Sequence, residues 1–269
     1  MQFFKMNSIG NDFVVIEQQN IFNLDDISLT SKRLCDRKYG VGADQAVFFS
    51  YRTGLADVRF FNQDGTEAEM CGNGIRALGL LLNRLYHVNS ISAKTLASTV
   101  DIQIINEEII QTKTQILPVL YPPEYLTSIE QYIRTKLPDT LFVNVVNVGN
   151  PHVDIVLQTD AYVADAVVAQ IGNDIDHFVT GGINVGFIGI KDNDIYLKVW
   201  ERGAGFTLGC GSGACAAAFT AMKLNLISQN DILVHQVGGN LNIVIDKNFA
   251  ITRGTAEIIF EGVMYERER

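Results

Sequence analysis

The chain has 269 residues, 47% of them hydrophobic and only 19% charged, which leaves room for two domains of ordinary size or one large one and excludes a disordered, collagen-like or disulfide-stapled miniature protein. Its 21 basic and 30 acidic residues give a net charge of −9 with no dense Lys/Arg run, so no nucleic acid and no membrane surface is expected as partner, and a small molecule is. The segment Met1 to Asn7 lacks the basic and long apolar parts of an export signal, and no 18-residue uncharged apolar run follows. A cytoplasmic location is therefore expected, with the four cysteines Cys35, Cys71, Cys210 and Cys215 as thiols.

Short β-branched or alternating runs predict strands at Phe13–Ile16, Val58–Phe61 and Val100–Ile105. Between the last two, Cys71-Gly72-Asn73-Gly74 leads into an Ala/Leu-rich stretch with helical spacing from Ile75 to Leu85. Four of the five prolines, Pro118, Pro122, Pro123 and Pro138, fall between Gln115 and Asp139, where an irregular crossing into a second half is expected. Strands follow at Val153–Leu157 and Ile195–Trp200, then Cys210-Gly211-Ser212-Gly213 and a helical stretch from Ala214 to Leu226. The final strand, around Ala256 to Val263, is read as returning to the first domain. The expected domains are thus residues 1–113 joined by 256–269, and residues 114–255.

Behind this order lies an internal repeat. Cys71-Gly72-Asn73-Gly74-Ile75-Arg76-Ala77 and Cys210-Gly211-Ser212-Gly213-Ala214-Cys215-Ala216 share one pattern 139 residues apart. The same offset carries Gly10-Asn11 to Gly149-Asn150, Gly42 to Gly181, Gln45 to Asn184 and Asn62 to Glu201, with no gap. The chain therefore reads as two copies of one α/β domain. Each copy holds a cysteine, an early Gly-Asn and a polar residue nine positions before the cysteine.

Each of these cysteines stands at a helix start, where unpaired backbone N–H groups and the helix dipole favour a thiolate or a bound carboxylate. The glycines let backbone approach a ligand closely. Two such units facing each other across a cleft would put a sulfur on each side of one carbon, as inversion by proton removal and return requires. A buried, inert Cys is the common alternative for one such residue, and the matching pair argues against it. A metal site is not expected, because Cys210 and Cys215 lack Cys-x-x-Cys spacing and the four histidines are scattered. Cys35 and Cys215 have no repeat partner and read as packing residues, as His87, His177 and His235 read as surface or packing residues. His152, beside Gly149-Asn150, is a candidate for the site. No phosphate-loop or dinucleotide motif is present.

In these motifs the chain resembles the diaminopimelate epimerase family. The likeness covers nearly the whole chain, through Gly10-Asn11-Asp12-Phe13, Asp36 to Gln45, Phe61 to Arg76, Gly149-Asn150-Pro151-His152, Val199-Trp200-Glu201-Arg202-Gly203 and Cys210 to Ala214. The resemblance implies two pseudo-symmetric α/β domains, each a curved sheet wrapped around a central helix, with the active site in the interdomain cleft. It also implies a two-base isomerase that needs no cofactor and interconverts LL- and meso-diaminopimelate for lysine and cell-wall synthesis.

By the same resemblance Cys71 and Cys210 are the acid/base pair. The backbone of Gly72-Asn73 and Gly211-Ser212 would hold the reacting carboxylate, and Glu201 the reacting ammonium. Asn11, Asn62, Asn150, Asn184 and Arg202 would fix the distal end of the substrate, Gln45 would orient the site near Cys71, and His152 would shape the electrostatics around Cys210. The pattern departs from the family at Phe206, where an acidic or amide residue is usual, and at Asn7, where His is common. A homodimer stays open as the form of assembly. A racemase for another amino acid, or a non-catalytic amino-acid-binding or thiol redox protein, would carry the same fold.

Overall fold

The computed structural model describes residues 1–18, 27–106, 109–117, 123–158 and 163–265, with no side-chain description at 123–125. It divides into two compact units, Met1–Lys113 with Arg253–Arg269, and Thr114–Thr252.

In the first unit the chain forms β1 (Gln2–Ser8), β2 (Asn11–Glu17), α1 (Ile27–Cys35), β3 (Gln45–Arg52), β4 (Leu55–Asn62), the short β5 (Glu67–Ala68), α2 (Gly72–Tyr86), β6 (Ser90–Lys94), β7 (Thr99–Ile104) and β8 (Ile109–Gln115). β1 and β2 pair antiparallel, β2 and β3 parallel, β3 and β4 antiparallel, and β4 continues to β5 antiparallel and β6 parallel. α2 is the central helix. Ile75, Ala77, Leu78, Leu81 and Leu82 recur at helical spacing and pack with Phe13, Val15, Val47, Phe60, Ile91, Ile102 and Ile110 from the surrounding strands. On the opposite face of the sheet Leu34 and Cys35 of α1 meet Val14, Ile16, Ala46, Phe48 and Phe61. With both faces covered, β2 and β3 are apolar throughout their middles.

The second unit contains α3 (Pro123–Lys136), β9 (Thr140–Asn147), β10 (Pro151–Leu157), α4 (Asp165–Phe178), β11 (Asn184–Lys191), β12 (Asp194–Glu201), β13 (Gly205–Thr207), α5 (Gly211–Lys223), β14 (Asp231–Gln236), β15 (Gly239–Asp246) and most of β16 (Phe249–Thr255). The stretch expected to be irregular thus holds a 14-residue helix, α3. Pro123 opens it, where the missing N–H costs nothing, and Pro138 follows its end; Pro118 and Pro122 lie outside the described residues. α5 is the central helix here, with Ala214, Cys215, Ala216, Ala217, Ala218, Thr220 and Ala221 all buried. It ends at Lys223 rather than Leu226, because Asn225 takes a left-handed φ of 56°. Ile129 and Ile133 of α3 and Val168, Ile171 and Ile175 of α4 cover the outer face.

The repeat is visible in the register. Phe13 sits opposite Gln45 as His152 sits opposite Asn184, and Phe60 opposite Ala68 as Val199 opposite Thr207, each pair 139 residues from its counterpart. The chain then returns to the first unit, where β17 (Glu257–Val263) pairs antiparallel with β1 from Gln2↔Val263 to Asn7↔Glu257.

Candidate active site

Both repeat cysteines are helix N-caps. Cys71, half-buried, caps α2 with extended backbone (φ −136°, ψ 111°) and its carbonyl accepts the Ile75 N–H at 2.9 Å. Cys210 caps α5 in the same conformation (φ −120°, ψ 113°), with the Ala214 N–H on its carbonyl at 3.0 Å. The glycine three residues on is what lets each helix start lie so close to its sheet. A Cβ on Gly74 would come 2.6 Å from the Phe60 ring, and one on Gly213 would come 2.9 Å from Val199, the equivalent position. Each first turn therefore sets its N–H groups and the positive helix end beside a sulfur.

In the first unit Asn11 opens β2 and Gln45 opens β3, while Asn62 closes β4. Gln45 donates from Nε2 to Asn62 Oδ1 at 2.9 Å, and Asn62 reaches Thr66 Oγ1 at 3.0 Å. Asn11 Oδ1 and Gln45 Oε1 are buried acceptors with no partner among the described residues. An ion cluster anchors their strands. Arg37 donates to Asp12 Oδ1 at 2.8 Å and Asp44 Oδ1 at 2.8 Å, and Lys5 meets Asp12 at 2.5 Å. Burial pushes the Asp12 carboxyl up, but the hydrogen bonds from Arg37 and Lys5 outweigh it and hold the group well below the usual carboxylate range. Asn73 turns its side chain inward to accept from the fully buried Arg76, whose Nε donates to Ser8 Oγ at 3.3 Å.

The second unit gathers a denser set around Cys210, which is 3% exposed. Its Sγ accepts the Gly213 N–H at 3.3 Å and lies 3.4 Å from Ser212 Oγ. Ser212 in turn is 3.0 Å from His152 Nε2, and the same nitrogen is 3.1 Å from Asn150 Oδ1. Burial, assisted by the Arg202 charge, lowers the His152 pKa to about 3, so the ring is neutral. With its proton on Nε2 the ring donates to both oxygens, which frees the Ser212 hydroxyl to donate to the sulfur. Asn184 is buried and spent on bracing. It donates to Pro151 O at 2.8 Å and accepts the Arg202 N–H at 3.0 Å. Glu201 accepts from Thr207 Oγ1 at 2.6 Å. Burial first, then the nearby Glu201 charge, raise the Cys210 thiol well above its ordinary pKa, against the opposing bonds from Ser212 and Gly213.

Three residues missed in the sequence belong to this set. Asp176 accepts the Ile183 N–H at 2.9 Å and the Trp200 indole N–H at 3.3 Å, bracing the turn before Asn184. Gln236 accepts the Cys210 N–H at 2.7 Å. Thr207 orients Glu201. Of the remaining candidates, Cys35 is buried with its pKa pushed up to about 12 by desolvation, and Cys215 is buried inside α5. His235 bonds to Asp194 at 2.9 Å, His177 to the Asn173 carbonyl at 2.8 Å, and His87 is the C-cap of α2. Phe206 joins the apolar layer of α4, and Asn7 accepts the Gly10 N–H at 3.2 Å, so each departure from the family pattern has a local structural use. No group of three or more metal-ligating side chains occurs among the described residues, and no helix among them is long and apolar enough to cross a membrane.

Comparison with known proteins places this arrangement. A family model described as diaminopimelate epimerase matches residues 3–115 and 144–259. A diaminopimelate epimerase of Halothermothrix orenii is 33% identical over 294 residues, covering 100% of this chain and 99% of that one. One of Methanococcus aeolicus is 30% identical, with 99% of each chain covered. Among solved structures, a phenazine biosynthesis protein of the PhzF family from Enterococcus faecalis superposes with a TM-score of 0.71 at 16% identity, over 98% of this chain and 99% of that one. A hydroxyproline epimerase from Agrobacterium vitis does so with a TM-score of 0.63 at 8% identity, over 97% and 91%. The last two likenesses show the fold.

Proposed function

The chain belongs to the diaminopimelate epimerase family and is an isomerase acting on a small molecule, and on that premise we propose that it interconverts LL- and meso-diaminopimelate with Cys71 and Cys210 as its two acid/base groups. The observation that carries the two-base reading is the equivalence of the cysteines: each caps the central helix of its repeat in the same extended conformation.

One thiolate takes the α-proton, and the other thiol returns a proton to the opposite face, so the enzyme ends with its protonation exchanged between the two sulfurs and no external acid or base consumed. Burial and Glu201 favour the protonated form of Cys210. As the α-proton leaves, charge builds on the substrate carboxylate. Backbone N–H groups at Gly72-Asn73 and Gly211-Ser212 would hold it, and being fixed in helix starts they need no reorganisation. Glu201 would take the reacting ammonium. Asn11, Asn62, Asn150 and Arg202 would recognise the distal amino acid end, with Arg202 gripping its carboxylate as a fork. Asn184 serves that end by holding Arg202, and His152 serves Cys210 through Ser212. The reaction fits the cytoplasm, where a reducing milieu keeps the cysteines as thiols.

The test is α-hydrogen exchange in deuterated water across a panel of amino acids. Diaminopimelate should exchange and invert, while lysine, lacking the distal carboxylate, should exchange very poorly. Comparable exchange of lysine would overturn the substrate assignment, and absence of exchange with every amino acid would overturn catalysis.

A further inference from the structure

Gln236, at the end of β14, lies outside every motif that identifies the site, yet it touches Cys210 directly. Its Oε1 accepts the Cys210 backbone N–H at 2.7 Å. That bond fixes which end of the amide is oxygen, because a backbone N–H can only donate. The other end, Nε2, is therefore a donor. It is buried, and it has no partner among the described residues. A buried donor left unpaired is costly, and such groups in native structures call for an explanation. The planar amide holds Nε2 within a few ångströms of the Cys210 backbone.

The repeat sharpens the point. β12 and β14 pair as Ile195↔Val234 where β4 and β6 pair as Ala56↔Ala93, so the second unit carries two extra residues before β14. The shifted register makes Gly238, which donates to Leu208 O at 2.7 Å, the counterpart of Ala97, which donates to Glu69 O at 3.2 Å. Gln236 then corresponds to Thr95, whose hydroxyl is spent within its own turn on the Ser98 carbonyl at 2.8 Å. The amide beside the cysteine backbone is thus a feature of the second unit alone.

Resting on the two-base reading above, we propose that Gln236 is a positioning residue for Cys210: its carbonyl pins the Cys210 backbone, and its unpartnered amide N–H is a donor held for the negative charge of the Cys210 thiolate. The other groups facing this sulfur are Ser212 and Gly213 from α5, Glu201 from β12, and His152 from β10 acting through Ser212, with Arg202 influencing His152; on β14 itself His235 is turned to Asp194. Glu201 opposes the thiolate, and one further neutral donor offsets it without adding a proton that titrates. During turnover Cys210 must pass through its charged form, and Nε2, which makes no hydrogen bond to the thiol, then has a charge to turn toward.

The test uses the full-length protein in wild-type, Gln236→Leu and Gln236→Glu forms, each compared with the same form carrying Cys210→Ala, so that the difference in thiolate ultraviolet absorbance across pH reports Cys210 alone. Gln236→Leu should move the Cys210 titration upward by about one pH unit, the size of one hydrogen bond to a charged group. Gln236→Glu, which keeps an oxygen for the Cys210 N–H but loses the donor and adds charge, should move it further. In turnover kcat should fall about tenfold in Gln236→Leu with KM near wild type. A lowered melting temperature with an unshifted titration would reduce Gln236 to a structural brace and overturn the proposal. A raised KM with an unshifted titration would overturn it too, by assigning Nε2 to the substrate. Failure of the wild-type protein to act on diaminopimelate would sink the substrate reading while leaving the titration to judge Gln236.

Discussion

The two units share a backbone plan and bury different ionisable groups. Beneath Cys71 the first unit encloses the guanidinium of Arg76, while the second has Cys215 at the equivalent place. On the second unit's central sheet the carboxyl of Asp154 is fully buried against Thr220 at 2.6 Å, where the first unit has Val15 and Leu81. Near the cysteines the amide pair Gln45–Asn62 becomes Asn184 and Glu201, and Phe13 becomes the buried His152. Strand register is set by alternation and apolar contact, which survive such exchanges, and so the repeat persists in the fold. The chemistry does not survive them. A sulfur whose repeat carries an amide nine residues before it and one whose repeat carries a carboxylate there are different acids, and a reaction in which one group gives what the other takes has a use for that difference.

The comparison is broken hardest by removing either sulfur. Cys71→Ala and Cys210→Ala should each lower epimerisation by at least about 10²–10⁴-fold, the usual weight of a positioned acid or base, with circular dichroism unchanged. Near-wild-type turnover in one of them would make the units unequal in a way a two-base mechanism does not allow.

The buried cation ranks next. Arg76→Leu strips Asn73 and Ser8 of their donor inside a closed core and should lower unfolding free energy by about 3 kcal/mol in urea titration. An unchanged midpoint would show that the first unit does not depend on its buried charge.

The subtlest effect sharpens the acidic side. Desolvation raises the Asp154 pKa from 3.8 to about 7, against the Thr220 hydrogen bond, so the folded protein keeps a proton that the unfolded chain releases near pH 4. Unfolding then gives up a proton throughout that window, and rising pH favours the unfolded state. Asp154 alone should remove about 2 kcal/mol of stability between about pH 5 and about pH 6.5, each unit carrying about 1.4 kcal/mol, with the loss complete above pH 7. Asp154→Asn, which cannot titrate, should flatten this limb of the melting-temperature profile; wild type and variant running parallel would refute the assignment.

These same residues mark where the sequence stopped being readable. The repeat, the mixed α/β class and the helix starts were legible because one gapless offset of 139 ties polar landmarks to cysteines, and because Gly-x-Gly before an Ala/Leu run has few other structural meanings. Arg76 was not, since a lone Arg in a helix is normally a solvated residue. Asp154 alternates with Val153 and Ile155 like a solvent-facing strand position, yet α5 covers its side of the sheet. Gln236 escaped because the two-residue shift before β14 takes it off the common offset. α4 and α3 carry no motif, and only the need to cover the outer apolar face of the sheet accounts for them.

The pairing of β1 with β17 has a consequence for how the protein comes off the ribosome. Gln2 lies opposite Val263, and the Met264 N–H closes onto the Met1 carbonyl at 2.8 Å, so the first unit is zipped by a segment translated more than 250 residues after the strand it completes. The second unit, Thr114–Thr252, is continuous and has all its strands but the end of β16 once its own residues have emerged. Order of synthesis and order of completion are therefore opposite. Until the last strand arrives, β1 presents an open edge to the cell, and its Phe3 and Phe4 wait for cover. A ribosome stalled shortly before residue 257 would carry a nascent chain whose later half can be sealed while its earlier half remains a target for chaperones, proteases or a neighbour's strand.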